Sequence, residues 1–196
     1  NVHNKDLEVV GVLSNDVQDT INFIDDKWTR DLATSSSVYE FTALNKKLSY
    51  QTEYANPFFL LKIGNYVSFE YEDETHVFKI MSTERTGEEC YCYCENLNLE
   101  LRNELVGKFD SSETALTIED YIKKMGLLEY TNMVLGINEI PNISKKLSFT
   151  NDETKLARLL NVLNEFEAEH KFTTRLNGQG KIETFSLDIF KKRDSS

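Results

Sequence analysis

Basic residues are in short supply: 22 Lys and Arg stand against 33 Asp and Glu, a formal net charge of -11 over 196 residues. Binding to nucleic-acid phosphates relies mainly on Lys and Arg displacing counterions, so this balance argues against a direct nucleic-acid reader. An acidic surface beside DNA acts instead as a non-stick wall, because like charge discourages adhesion. No apolar run approaches the roughly 20 residues of a membrane-spanning helix. No basic n-region followed by an apolar stretch opens the chain. Neither a membrane nor secretion is signalled. Proline is scarce at 2 residues, while 12 Phe, 9 Tyr and 40% hydrophobic content describe a folded globular protein that can bury a core without disulfides. The chain opens on Asn1 without a methionine and closes on the polar "KKRDSS", which reads as an excised piece of something longer.

Catalytic signatures are lacking too. No Gly-x-Ser-x-Gly, His-Glu-x-x-His or Walker-type loop occurs. Histidine bases are limited to His3, His76 and His170. His3 is expected on a frayed terminus, and His170 follows the strongest helical segment, where a cation complements the helix dipole. The carboxylates around Asp73, in "YEDET", fit a solvated turn, whereas a glycosidase pair needs two carboxyls across a cleft. No residue is assigned a catalytic, cofactor-binding or metal role, and no cofactor is expected.

Cysteine is confined to "EECYCYCENL", as Cys90, Cys92 and Cys94. Residues two apart on a strand share a face, so the thiols line one side while Tyr91 and Tyr93 line the other. Such thiols lie roughly 6.5 to 7 Å apart and nearly parallel, which disfavours a local disulfide. Zinc prefers Cys-x-x-Cys at a turn, with four ligands wrapping the ion. His76 would have to reach across a hairpin to join such a set. A buried strand face is the expected role of the cysteines.

What the chain does contain is alternation. "LEVVGVL", from Leu7 to Leu13, predicts a buried strand ended by the turn "SND", and "TINFIDDKW" a second extended segment interrupted at Asp25-Asp26. "SSSVYEFTALN" places Tyr39, Phe41 and Ala43 on one face. In "NYVSFEYEDETHVFKIMSTE", Val67, Phe69 and Tyr71 alternate, acidic residues turn the chain, and Val77, Phe78 and Ile80 resume it as a hairpin. The cysteine strand follows. Past "GKFDSSET" the pattern turns helical: Thr117 and Asp120 cap a stripe of Ile118, Tyr121, Ile122 and Met125 that stops at Gly126. Thr150 and Glu153 fit a capping box before Leu156, Leu159, Leu160, Leu163 and Phe166. "HKFTTRL", "NGQG" and "KIETFSLDIF" close the chain as a hairpin. The expectation is an α+β fold, mainly antiparallel β. A barrel-like β-rich subdomain spans 1–107, and an α/β subdomain spans 108–196 with helices near 117–125 and 152–168. Trp28 and the cluster Phe58, Phe59, Leu60 and Leu61 are either core or an exposed contact patch.

The order "LEVVGVLSNDVQDTINF", "YEFTALN", "IGNYVSFEYEDETHVFKIMSTE", "CYCYCENLNLELRNEL" and "LARLLNVLNEFEAEHKF" resembles the N-terminal part of tail-associated lysins, or prophage tail endopeptidases, which form the baseplate hub of Gram-positive siphophages. The resemblance is one of strand order and spacing over most of the chain, without a catalytic motif. It implies a structural hub module at the virion tail tip, assembled in the bacterial host cytoplasm. Such a module forms a homotrimer around the tail axis and contacts the distal tail protein and the tape measure protein, without specific nucleic-acid or membrane binding. Any lytic domain would then lie C-terminal to the module. Two rivals remain: a tail-associated peptidoglycan hydrolase or peptidase built from distant residues, and a carbohydrate- or receptor-binding module using the aromatic segments.

Overall fold

A computed structural model describes residues 1–18, 20–31, 36–45, 57–129 and 133–193. The fold is α+β with antiparallel strands predominating, and the chain divides into two compact units.

The first unit comprises Asn1–Leu97 and Thr174–Glu183. Its strands are β1 (Val2–His3), β2 (Val9–Gly11), β3 (Phe23–Asp31), β4 (Ser36–Leu44), β5 (Tyr66–Tyr71), β6 (Glu74–Thr86) and β7 (Glu89–Asn96). They form one seven-stranded sheet in the order β2-β1-β5-β6-β7-β4-β3. Alternation dictates which face is buried: on β4, Tyr39, Phe41 and Ala43 point inward, and they pair directly with Cys94, Cys92 and Cys90 of β7. Val2, Val67, Phe78, Ile80, Phe58 and Leu61 complete this core. The turn between β5 and β6 places Glu72 and Asp73 at φ 51° and 62°, the two positive values that a two-residue hairpin needs to match strand twist. The Asp25-Asp26 interruption is a bulge: the register of β3 on β4 shifts between Ile24 and Lys27, with Asp25 at φ 54°.

The sheet curls strongly. Trp28 of edge strand β3 meets Phe69 of β5 at 5.3 Å and His76 of β6 at 4.5 Å between ring centroids, although β7 and β4 lie between these strands in the sheet. The curl brings the two halves of the sheet face to face without closing it, and no closed barrel forms.

The second unit comprises Asn98–Thr173 and Thr184–Ser196. Short strands β8 (Leu105–Val106), β9 (Phe109–Asp110) and β10 (Leu116–Thr117) precede helix α1 (Ile118–Lys124). Thr117 caps α1 in a reciprocal box with Asp120, and Gly126 follows at φ 59°. Next come β11 (Met133–Asn138), β12 (Ser144–Lys145), β13 (Ser148–Phe149), β14 (Glu153–Thr154) and helix α2 (Lys155–Glu165). α2 is shorter than the expected 152–168 and is capped by Thr154, whose hydroxyl accepts from Ala157 N. Its start is delayed because Glu153–Thr154 pairs with β8, and it ends where Glu167 adopts φ 51° before the next strand. The C-terminal hairpin forms as β15 (Ala168–Leu176) and β16 (Ile182–Lys191). β16 is the middle strand of a three-stranded sheet and carries β11 in parallel on its other side.

Candidate assembly site

The cysteines occupy the centre of the first unit's core. All three side chains are fully buried, with β4 on one side of their strand and β6 on the other. Burial and the carboxylate of Glu40 push the Cys94 thiol up, and Cys92 rises because it donates a hydrogen bond to Cys90 and is itself buried. The same bond pulls Cys90 down against the effect of burial, with help from the Arg85 guanidinium. Among the described residues no group of three His, Cys, Asp or Glu side chains is placed to hold a metal ion. A thiol without access to solvent does not meet reagent, so Ellman's reagent is expected to leave Cys90, Cys92 and Cys94 unlabelled in buffer and to label all of them in urea. Rapid labelling of the native protein would contradict the buried-strand assignment.

The histidines lie apart in sequence and in setting. His3 is not on a frayed end: it is fully buried in β1, where Nδ1–H donates to Leu7 O (3.3 Å) and Nε2 accepts from Ser68 Oγ (2.7 Å). The pairing of Val2 and His3 with β5 holds it there. His76 belongs to the aromatic cluster of Trp28 and Phe69. His170 does not serve as a cation at a helix end, because it lies in β15 against Phe172 (5.8 Å) and burial lowers its pKa. Burial likewise leads the lowering at His3. A histidine depressed in the folded state lets the unfolded chain bind its proton first as pH falls. Stability is therefore expected to be complete above about pH 6.5, the unfolded value, and to decline as pH falls through the window below it. Thermal melts between neutral and mildly acidic pH check this, and the decline should lessen in His3→Gln.

Asp73 is exposed in the β5–β6 turn. Of the apolar cluster after Pro57, Phe58 and Leu61 enter the core and Leu60 packs against it, while Phe59 is 63% exposed. Asn56 lies outside the described residues.

The curl creates a half-open pocket of about 360 Å³ in the first unit. Aromatic rings of Phe23 (β3), Tyr39 (β4) and Phe69 (β5) line it, with Glu70 at an exposed position and Ser14 and Val17 contributed by the β2–β3 connection. Burial and the neighbouring Asp26 carboxylate, which accepts from the phenol, hold Tyr39 protonated well above the usual tyrosine range. Glu70 and the α-amino group of Asn1, which donates to Ser68 O (2.7 Å), bring opposite charges to the same lining.

The fold is shared with a secretion-machine component. The E. coli c3393 protein, a component of the type VI secretion system with structural similarity to the T4 bacteriophage tail proteins gp27 and gp5, superposes with a TM-score of 0.51 at 12% identity. The match covers 89% of this chain and 47% of that one. Prophage tail protein gp18 of Listeria monocytogenes EGD-e gives a TM-score of 0.45 at 14% identity over 87% of this chain and 44% of its own. The tail protein of Neisseria meningitidis MC58 gives 0.46 at 12% over 83% and 44%. The chain thus spans about half the length of these structures. No protein-family model matches the sequence, and no curated protein does.

Sequence reasoning missed two buried polar nodes of the second unit. Arg158 of α2 is wholly buried, paired with Glu153, and donates to Gly107 O (3.1 Å) and Asn151 O (2.8 Å). Asp188 of β16 accepts from Ile137 N (2.9 Å) and Thr173 Oγ1 (2.8 Å). Both tie separate strands and turns together.

Proposed function

We propose that this chain is a structural hub protein of a phage or prophage tail, assembling as a homotrimer around the tail axis at the tail tip. In this reading it contacts the distal tail protein on one side and the tape measure protein along the axis. The observation that carries it is the fold: 89% of the chain follows a secretion-system component whose stated likeness is to phage tail proteins. The resemblance of the segments from Leu7 to Phe172 to tail-associated lysins points the same way. The net charge of -11 suits a wall past which DNA must travel without sticking. The chain acts as scaffold rather than catalyst, and peptidoglycan cleavage, where it accompanies such a hub, belongs to a separate domain.

The test is co-expression with the tail proteins encoded beside its gene, followed by electron microscopy of the purified complex and immunogold labelling of virions. A three-fold ring and label at the tail tip are expected. Label absent from particles, or release of soluble muropeptides by the purified chain, would overturn the proposal.

A further inference from the structure

β3 is the last strand of the seven-stranded sheet, and its outer edge is closed at the start only. There Asn15 Nδ2 donates to Phe23 O (2.9 Å), Asn15 Oδ1 accepts from Phe23 N (3.0 Å), and the bulge at Asp25 follows. From Lys27 to Asp31 no strand lies beside that edge among the described residues. Register tells which backbone groups face it. Leu44 N donates to Asn22 O (2.8 Å), and β4 pairs with β7 without a shift, so alternate residues of β4 from Leu44 to Ser36 turn their N–H and C=O toward β3. Ser37, between them, faces the other way and donates to Asn96 Oδ1 (3.1 Å). The β3 partners of Glu40, Val38 and Ser36 are Lys27, Thr29 and Asp31. The N–H and C=O of Trp28 and Arg30 are therefore left pointing out of the sheet.

Charge on an edge strand ordinarily deters pairing. The order of residues here, "KWTRD", reverses that effect, because it complements itself when run antiparallel. Trp28 set against Arg30 of a second copy makes the hydrogen-bonded pair that exchanges both N–H···O bonds, Thr29 then meets Thr29, and Lys27 meets Asp31. Lys27, Thr29 and Asp31 share one face of the strand, and Trp28 and Arg30 the other. The Arg30 guanidinium already lies 4.3 Å from the Trp28 ring centroid within one chain, so ring and cation suit each other. A slip of two residues either way sets Arg30 against Arg30 or Asp25 against Asp31. Lys27, Thr29, Arg30 and Asp31 are exposed, and Trp28 is half-buried.

We propose that the free chain pairs with a second copy of itself through residues 27–31 of β3, antiparallel about a two-fold axis at Thr29. The same patch serves both copies, so association closes at a dimer. The contact goes beyond the three-fold ring of the hub reading and does not depend on it.

Thr29→Cys gives the sharpest test. Residues opposite one another in a non-hydrogen-bonded pair have Cα atoms about 4.5 Å apart, within reach of a disulfide, and the native cysteines are buried. Mild oxidation of the whole chain should link Thr29→Cys into a dimer and leave Lys27→Cys unlinked, because that position faces the partner's Asp31. Sedimentation velocity reads the charges. Wild type should pass from monomer to dimer as protein concentration rises. Lys27→Asp and Asp31→Lys should each weaken association about tenfold, since either sets like charges opposite one another, and the two together should restore it. These positions are exposed, and unchanged circular dichroism melts verify that the variants fold. A chain that stays monomeric, a dimer indifferent to charge reversal, or Lys27→Cys linking as fast as Thr29→Cys overturns the proposal.

Discussion

Arg158→Ala is expected to cost about 3 kcal/mol of stability, the low end of what breaking a buried ion pair costs. The guanidinium has no exposure, whereas Glu153 keeps 24% of its side chain in solvent and so retains some hydration when its partner goes. Loss extends beyond the charge pair, since Gly107 O and Asn151 O lose their donors and the Phe149 ring loses the cation 4.4 Å from its centroid. Those carbonyls lie on the approach to β9 and on the turn before β14, so the side chain fastens two connections to the start of α2. Urea unfolding followed by circular dichroism reads the effect, as would a fall in melting temperature of roughly 10 °C. Arg158→Met retains the side chain's bulk but neither its charge nor its donors. If Arg158→Met matches wild type, packing rather than hydrogen bonding explains the site.

Gly136→Ala is expected to cost about 3 kcal/mol for a different reason. A Cβ at this position would overlap Oδ1 of Asp188 and come within 3.2 Å of the Ser186 side chain. Overfilling a packed site costs about 1–3 kcal/mol, and moving the carboxylate also breaks a charge-assisted bond from Ile137 N, worth about 1.5–3 kcal/mol. The Gly136 backbone lies where the parallel register of β11 on β16 shifts, between Leu135 and Asn138. Asp188 fills the irregularity by accepting the Ile137 N–H. A double-mutant cycle decides the matter. Asp188→Ala removes the obstruction, so Gly136→Ala added to it should cost little more. If the losses simply add to within about 0.5 kcal/mol, the two positions are independent and the account fails.

These sites show where sequence legibility stops. The β5–β6 hairpin could be read because Val67, Phe69 and Tyr71 alternate up to an acidic turn, and the cysteine strand because period two is a local signal. The cap of α1 could be read because Thr117 and Asp120 are three residues apart. The strands from β8 to β10 and from β12 to β14 are two residues long, too short to display a period, and their partners lie far along the chain. Arg158 adjoins the leucine stripe of α2 and resembles a surface residue, yet it is buried while Leu160 is only half-buried, so the inner face includes Arg158 and Val162. On β16 alternation marked Phe185, Leu187 and Ile189, but Ser186 and Asp188 are buried too, because a middle strand covered on both faces hides both sets. Ile137 and Asp188 are 51 residues apart, a separation at which no pattern in a single sequence joins a glycine's missing Cβ to a carboxylate. The pocket is equally illegible, since Phe23, Tyr39 and Phe69 meet only through the curl of the sheet.

The closing hairpin belongs to both units: Thr174–Glu183 counts with the first, and the flanking strand segments with the second. Neither unit is therefore a continuous stretch of polypeptide. A gene fragment stopped at Leu97 would encode the first without its final piece, and one begun at Asn98 would carry ten residues of the other's fabric at positions 174–183. Dissecting this molecule by truncation would yield orphaned parts, whereas severing the peptide at Asn177–Gly180 would leave every segment present and show whether the tip must be covalently continuous.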